Sequence, residues 1–201
     1  MKLNKKIASE IVAVFLAGTG MADGKGAPEV KITINDIKVE DTVYTPYYLV
    51  QTEQDHQQGS AQKWIRIGVY FTTKGGWIDE LDVTQLALLD CDDEGGCLAL
   101  SESVHYINIE PGDHVVQVYL HPSYVKRYEV DAFKLDSAAV LKIDGKIVAE
   151  KETNRRLEKG WSKGAEALNA KGYLLNHSET PFWFINYDFK EIIKSREFPL
   201  D

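Results

Sequence analysis

Residues 64–100 read WIRIGVYFTTKGGWIDELDVTQLALLDCDDEGGCLAL, and this stretch decides the fold. In its first ten residues Ile65, Ile67, Val69 and Phe71 alternate with Trp64, Arg66, Gly68, Tyr70 and Thr72. A period of two puts the first set on one face of a strand and the second on the other, so the pattern predicts a half-buried strand over 64–73. Lys74, Gly75 and Gly76 follow, and glycines tolerate the positive φ of a tight hairpin, so residues 77–90 are expected to fold back as a second strand. The loop CDDEGGC then carries the only two cysteines, Cys91 and Cys97, and residues 98–100 are expected to return antiparallel to 86–88.

On the N-terminal side Val30, Ile32 and Ile34 alternate before the apolar phase slips by one to Ile37 and Val39. That slip predicts a bulge near Asn35 and Asp36, or two short strands. Residues 43–50, rich in tyrosine and broken by Pro46, read as an edge strand or two pieces, and 53–63 as a polar loop. On the C-terminal side, strands are expected at 104–109 and 115–120 about a Pro111-Gly112-Asp113 turn, with Pro122 as a stop. Tyr128, Val130 and Ala132 alternate like a further strand. Residues 140–149 give the clearest hairpin signal, apolar residues on both sides of Asp144-Gly145. Leu157, Trp161, Ala165 and Leu168 recur at helical spacing, so a helix is expected over 153–171, capped by Asn154, stopped by Gly172 and weakened by about 1 kcal/mol at each of Gly160 and Gly164. Trp183, Ile185, Tyr187 and Phe189 then predict a closing strand.

Eight to ten short strands with at most one short-to-medium helix near 153–171 predict a mainly β protein, an antiparallel two-sheet sandwich, with barrel closure as the alternative. Immunoglobulin-like describes its architecture only. Cys91 and Cys97 are too close in sequence to form the inter-sheet bridge of that family.

The 201 residues suffice for one core. Apolar residues at 44% and charged residues at 27% are the proportions of a globular chain rather than a disordered one. Residues 1–22 differ: three lysines before Ile7, an apolar run to Ala17, and Gly20 and Ala22 where a signal peptidase reads small residues. They are read as a cleaved signal peptide. Residues 23–27 are then a loose mature N-terminus and 28–201 a single sandwich domain. The apolar run is short for a transmembrane helix, a prepilin leader fails at Lys5, and no cysteine offers a lipid anchor. The expected location is secreted, periplasmic or cell-surface, with no integral membrane segment after cleavage. Removing Lys2, Lys5, Lys6 and Glu10 takes the formal charge from −8 to −10, which argues against nucleic acid as a partner.

In an exported chain Cys91 and Cys97 are expected to be oxidised, a local staple worth roughly 2 kcal/mol. Asp90, Asp92 and Glu94 before Gly95 imitate the first half of a calcium loop, but the twelfth position is Ser101 and the bidentate acid is missing. They are a weak calcium candidate beside the simpler reading of a solvated hairpin tip, and no cofactor is expected. Gly160-Trp161-Ser162-Lys163-Gly164 matches a nucleophile elbow without the buried strand that must lead into one. His56, His105, His114, His121 and His177 lack metal-binding spacing. The remaining candidates are aromatic. Trp64, Tyr70 and Trp77 lie on or beside the face opposite Ile65, and Tyr44, Tyr47 and Tyr48 cluster around Pro46. Each set is a contact surface unless another layer covers it.

The opening PEVKITINDIKVED, the strand KWIRIGVYFTT and the closing PFWFINYDF, behind a signal-like leader, resemble small secreted immunoglobulin-like proteins associated with type IV pilus-like machinery of mucin-associated gut bacteria. The resemblance rests on layout and transfers no functional residue. It implies a surface or accessory component of a filament, since a pilin's processing site and long N-terminal helix are lacking. Function is therefore read first as non-enzymatic protein contact in an envelope or pilus-like assembly. A carbohydrate-binding module using Trp64, Tyr70 and Trp77 is the alternative, and a secreted hydrolase comes third.

Overall fold

The computed structural model describes residues 29–45, 61–91, 97–155, 158–164, 166–168, 174–184 and 191–194. Its strands are β1 (Lys31–Tyr44), β2 (Lys63–Lys74), β3 (Ile78–Cys91), β4 (Cys97–Ile109), β5 (Gly112–Leu120), β6 (Ser137–Ile143), β7 (Lys146–Glu152), β8 (Glu166–Leu168), β9 (Leu174–Asn176) and β10 (Ile192–Ile193). Two short helices, α1 (Pro122–Arg127) and α2 (Trp161–Gly164), and two 3-10 turns, His177–Glu179 and Pro181–Phe184, complete the described elements. Sheet A has the order β1-β2-β5-β9 and sheet B the order β10-β4-β3-β6-β7. Pairing is antiparallel except where β8 runs parallel to β4. The result is the two-sheet sandwich that the alternation predicts.

The core lies where the period-two pattern puts it. Ile65, Ile67, Val69 and Phe71 are fully buried and pack with Leu81, Val83, Val116, Val118, Leu120 and Leu141 from the other strands. Each such side chain contributes about 1.5–3 kcal/mol by leaving water. The bulge expected near Asn35 is present as a register shift between Ile34 and Asp36. There Lys151 of β7 donates to the Asn35 carbonyl at 2.5 Å, tying the edge of sheet B to the edge of sheet A. The Asp144-Gly145 hairpin also forms, with φ of 50° and 73°, the two positive values that a type I′ turn requires.

Gly75 and Gly76 do not make a hairpin. β2 is flanked by β1 and β5, and β3 by β4 and β6, so neither has an edge free for the other. The turn instead carries the chain from sheet A to sheet B. Gly75 has a φ of 98°, and a Cβ there would fall 2.3 Å from the Glu29 carbonyl oxygen. Alternation identifies a buried face but says nothing about which strand lies alongside.

Three other expectations are corrected. Among the described residues the helix expected over 153–171 is reduced to the four residues of α2, where the Glu152 carboxylate accepts the backbone N–H of Gly160 and of Ser162 and folds the chain into a turn. Gly160, at φ 97°, has the left-handed backbone that glycine tolerates. The strand-like alternation at 128–132 is the tail of α1: Tyr128 N–H bonds to Tyr124 O, Val130 N–H to Val125 O, and Glu129 has a φ of 48°. α1 itself starts with His121, whose Nδ1 accepts from Ser123 N–H, and Pro122 at the first turn. The closing strand begins instead as the 3-10 turn Pro181–Phe184, where Pro181 takes the first helical position and Trp183 N–H bonds back to Thr180 O. The rest of that expected strand, 185–189, lies outside the described residues.

Both sheets also carry apolar patches on their outer faces, each covered by a tryptophan-bearing turn. On sheet B, Leu86, Leu88, Ala99 and Ala138 lie under Trp161, whose indole donates to Thr153 O at 2.9 Å. On sheet A, Trp64 and Tyr119 lie under Phe182, with Val43 and Leu175 at the margin.

Candidate functional site

The aromatic candidates separate. Trp64 is 5% exposed, so it is an interior residue and not a contact surface. Its Nε1 donates to Thr45 Oγ1 at 3.0 Å, and its ring meets His121 and Phe182 edge-on, with centroids at 5.1 and 5.5 Å. Tyr70 is half-buried. Its ring lies over Gly68, where a Cβ would come within 3.3 Å of Cε2, and the Lys38 ammonium sits 4.6 Å from the ring centroid on β1. Glycine in mid-strand is explained by that close approach. Trp77 is 62% and Tyr44 is 55% exposed. Tyr47 and Tyr48 lie outside the described residues.

A polar network whose members share no spacing along the chain surrounds the covered patch of sheet A. Glu40 and Arg66 are register partners on β1 and β2 and form an ion pair. Tyr119 is the partner of Arg66 on β5. Its hydroxyl donates to Gln117 Oε1 at 2.7 Å and lies 3.1 Å from His177 Nδ1. Burial pushes the Tyr119 phenol up to about 12, opposed in part by Arg66. Burial, then Arg66, holds the His177 imidazole below its ordinary value. Trp183 meets the His177 ring at 5.7 Å. The available sequence signal was Thr180-Pro181 before three aromatics, which marks a turn rather than a strand.

At the end of the sandwich beyond α1, Leu89, Tyr128, Glu129, Val130, Asp131, Lys134 and Leu135 line an open pocket of about 230 Å³. Lys134 lies 3.7 Å from Asp131 on its lip. Phe133 stands beside it, 77% exposed. Asp131 accepts the Phe133 N–H at 3.0 Å and fixes the turn that holds this ring out.

Ser162 of the elbow-like motif donates to Glu152 Oε2 at 2.8 Å in the turn over sheet B, and the described residues just before it, 158–160, form no strand. His105 lies between Asp82, at 2.5 Å, and Glu80, at 3.3 Å. Among the described residues no group of three or more His, Cys, Asp or Glu is placed to hold a metal. Asp92, Glu94, the Asp90 side chain and His56 lie outside them. Cys91 and Cys97 are backbone partners at the last rung of the β3–β4 ladder, and their side chains are likewise outside the described part. Among the described residues no helix is long and apolar enough to cross a membrane.

By fold and surface this is an antiparallel two-sheet sandwich protein with capped outer faces and isolated exposed aromatics. A protein-family model matches residues 24–197, and the chain belongs to that family. No curated protein matches it. Among solved structures, the crystal structure of a protein from Akkermansia muciniphila is similar, 26% identical with a TM-score of 0.68, the match covering 86% of this chain and 97% of that one.

Proposed function

We propose that this chain is an exported, non-catalytic protein that works through protein contacts in a cell-surface or pilus-like assembly. The observation that carries the reading is the end of the sandwich at residues 128–135. There an exposed aromatic ring, Phe133, adjoins a mainly polar pocket lined by the charged Glu129, Asp131 and Lys134 together with Leu89, Tyr128, Val130 and Leu135. Aromatic anchors within a polar rim are the anatomy of protein interfaces. Trp77 and Phe184, 62% and 76% exposed, offer further anchors. The likeness to a protein of a mucin-associated gut bacterium supports a surface setting. The leader-like residues 1–22 support export, and the backbone pairing of Cys91 with Cys97 supports a disulfide there.

The carbohydrate reading keeps only Trp77 of its three aromatics in the open, since Trp64 is interior and the Lys38 ammonium lies over the Tyr70 ring. A photo-crosslinking residue placed at 133, and in separate variants at 77 and 184, tests the proposal in intact cells. A discrete crosslinked protein is expected from at least one position. Specific binding on a glycan array, with no crosslink from any of the three, would refute it.

A further inference from the structure

We propose that Glu191, Ile192, Ile193 and Lys194 form a releasable strap that ties the two sheets together and opens without unfolding the sandwich. The backbone of this segment belongs to sheet B: Ile192 and Ile193 pair with Ile107 and Tyr106, and Lys194 N–H donates to His105 O at 2.9 Å. The side chain in front of it belongs to sheet A. Glu191 is buried, and its Oε1 lies 3.1 Å from His114 Nδ1 and accepts the Val115 N–H at 3.3 Å. Lys194 Nζ reaches Glu80 at 2.9 Å on the other side. Four residues thus bond to both sheets.

Their place in the fold explains why one carboxylate matters. β9 pairs only with Val118, Tyr119 and Leu120, so at Val115 strand β5 has no β9 partner. Glu191 takes the place of a neighbouring strand by accepting the Val115 N–H. His114 is held on its far side by Glu110 O at 2.8 Å and Thr73 Oγ1 at 3.3 Å, and it stacks on Phe71 at 5.1 Å, so the ring is fixed in sheet A whether or not Glu191 is present. Beyond these bonds the strap has one apolar anchor, Ile193, which is partly buried and packs against the core. β10 is two residues long, and Ile192 is half in solvent. A segment with few buried apolar contacts opens locally ahead of the core. Its opening bares the backbone of Tyr106 and Ile107 and the Val115 N–H, one site on each sheet.

Amide hydrogen exchange on the full chain tests this. Lys194 and Val115 amides are expected to exchange by an opening insensitive to low denaturant, while Ile67 and Val118 exchange only with global unfolding. Glu191→Ala is expected to speed exchange at Lys194 and Val115 by about tenfold, as loss of a charge-assisted hydrogen bond implies, and to leave Ile67 and Val118 unchanged. Should that variant fail to fold, Glu191→Gln fills the same space and keeps an oxygen for the Val115 N–H but loses the charge, so a smaller rise in exchange is expected at the same two amides. A uniform loss of protection across the core, or no change at Lys194 and Val115, overturns the proposal.

Discussion

The Phe182 ring stacks on Tyr119, with centroids 4.9 Å apart and planes 19° from parallel, and at the same time meets Trp64 edge-on. One residue of a 3-10 turn therefore covers both Trp64 and Tyr119 on the outer face of sheet A. Phe182→Ala would open that patch to water and leave a cavity over Trp64. A loss of about 3 kcal/mol is expected, with a red shift of tryptophan emission from the newly wetted indole. Urea unfolding followed by fluorescence measures both, and an unchanged midpoint would mean that the turn covers nothing of consequence.

Sequence pattern read the inner layer well and the outer layer poorly, and the reason is physical. Ile65, Ile67, Val69 and Phe71 declare a buried face because strand geometry forces alternate residues together. Trp64 lies on the opposite face of the same strand, and nothing local says that residues 181–184, far away in sequence, return to cover it. Leu157, Trp161 and Leu168 follow the same logic. Their spacing signalled a need for burial, which Trp161 meets from a turn over sheet B rather than from a helix. The polar network of Glu40, Arg66, Gln117, Tyr119 and His177 was illegible because its members come from four elements and share no spacing.

Asp136 is fully buried and closes the end of the β6–β7 hairpin. Its Oδ1 accepts the Arg155 N–H at 2.6 Å and the Thr153 hydroxyl at 3.1 Å, while Thr153 in turn accepts the Ser137 N–H at 2.8 Å. Asp136→Ala leaves those donors without their acceptor. The expected cost is about 1–3 kcal/mol, with Asp136→Asn recovering part of it because the amide oxygen still accepts. Equilibrium unfolding of the two variants checks the order. Equal losses would show that shape, not hydrogen bonding, is what matters.

Directly opposed residues in an antiparallel ladder have Cα atoms about 4.5–5.5 Å apart, within the range a disulfide spans. Cys91 and Cys97 are such partners. Protein purified under oxidising conditions is therefore expected to show no free thiol until reduced, and reduction to cost roughly 2 kcal/mol. Thiol titration with and without denaturant, beside thermal unfolding with and without reductant, decides it. Two free thiols in the oxidised, denatured chain would remove the staple.

Three buried groups, His177, Tyr119 and Tyr106, make stability depend on pH at both ends. Burial and Arg66 keep His177 from taking a proton in the folded chain as readily as in the unfolded one. Below about pH 6.5, the ordinary value for an imidazole, the unfolded chain binds the extra proton, so stability falls with pH and levels off beneath the folded value. His177→Gln should flatten that limb. At the alkaline end Tyr119 holds its proton up to about 12, and the buried Tyr106 phenol is pushed up further, by burial first and then by Glu191. Unfolded tyrosines ionise near 10, so the stability these two contribute is complete below that value and lost as pH climbs toward 12 and beyond. Of the ten tyrosines, these two should remain protonated until the chain unfolds. Tyrosinate absorbance should then rise in two phases, the later one coinciding with loss of the β-sheet circular dichroism signal. A single phase near 10 with the sheet signal intact would place both phenols in water.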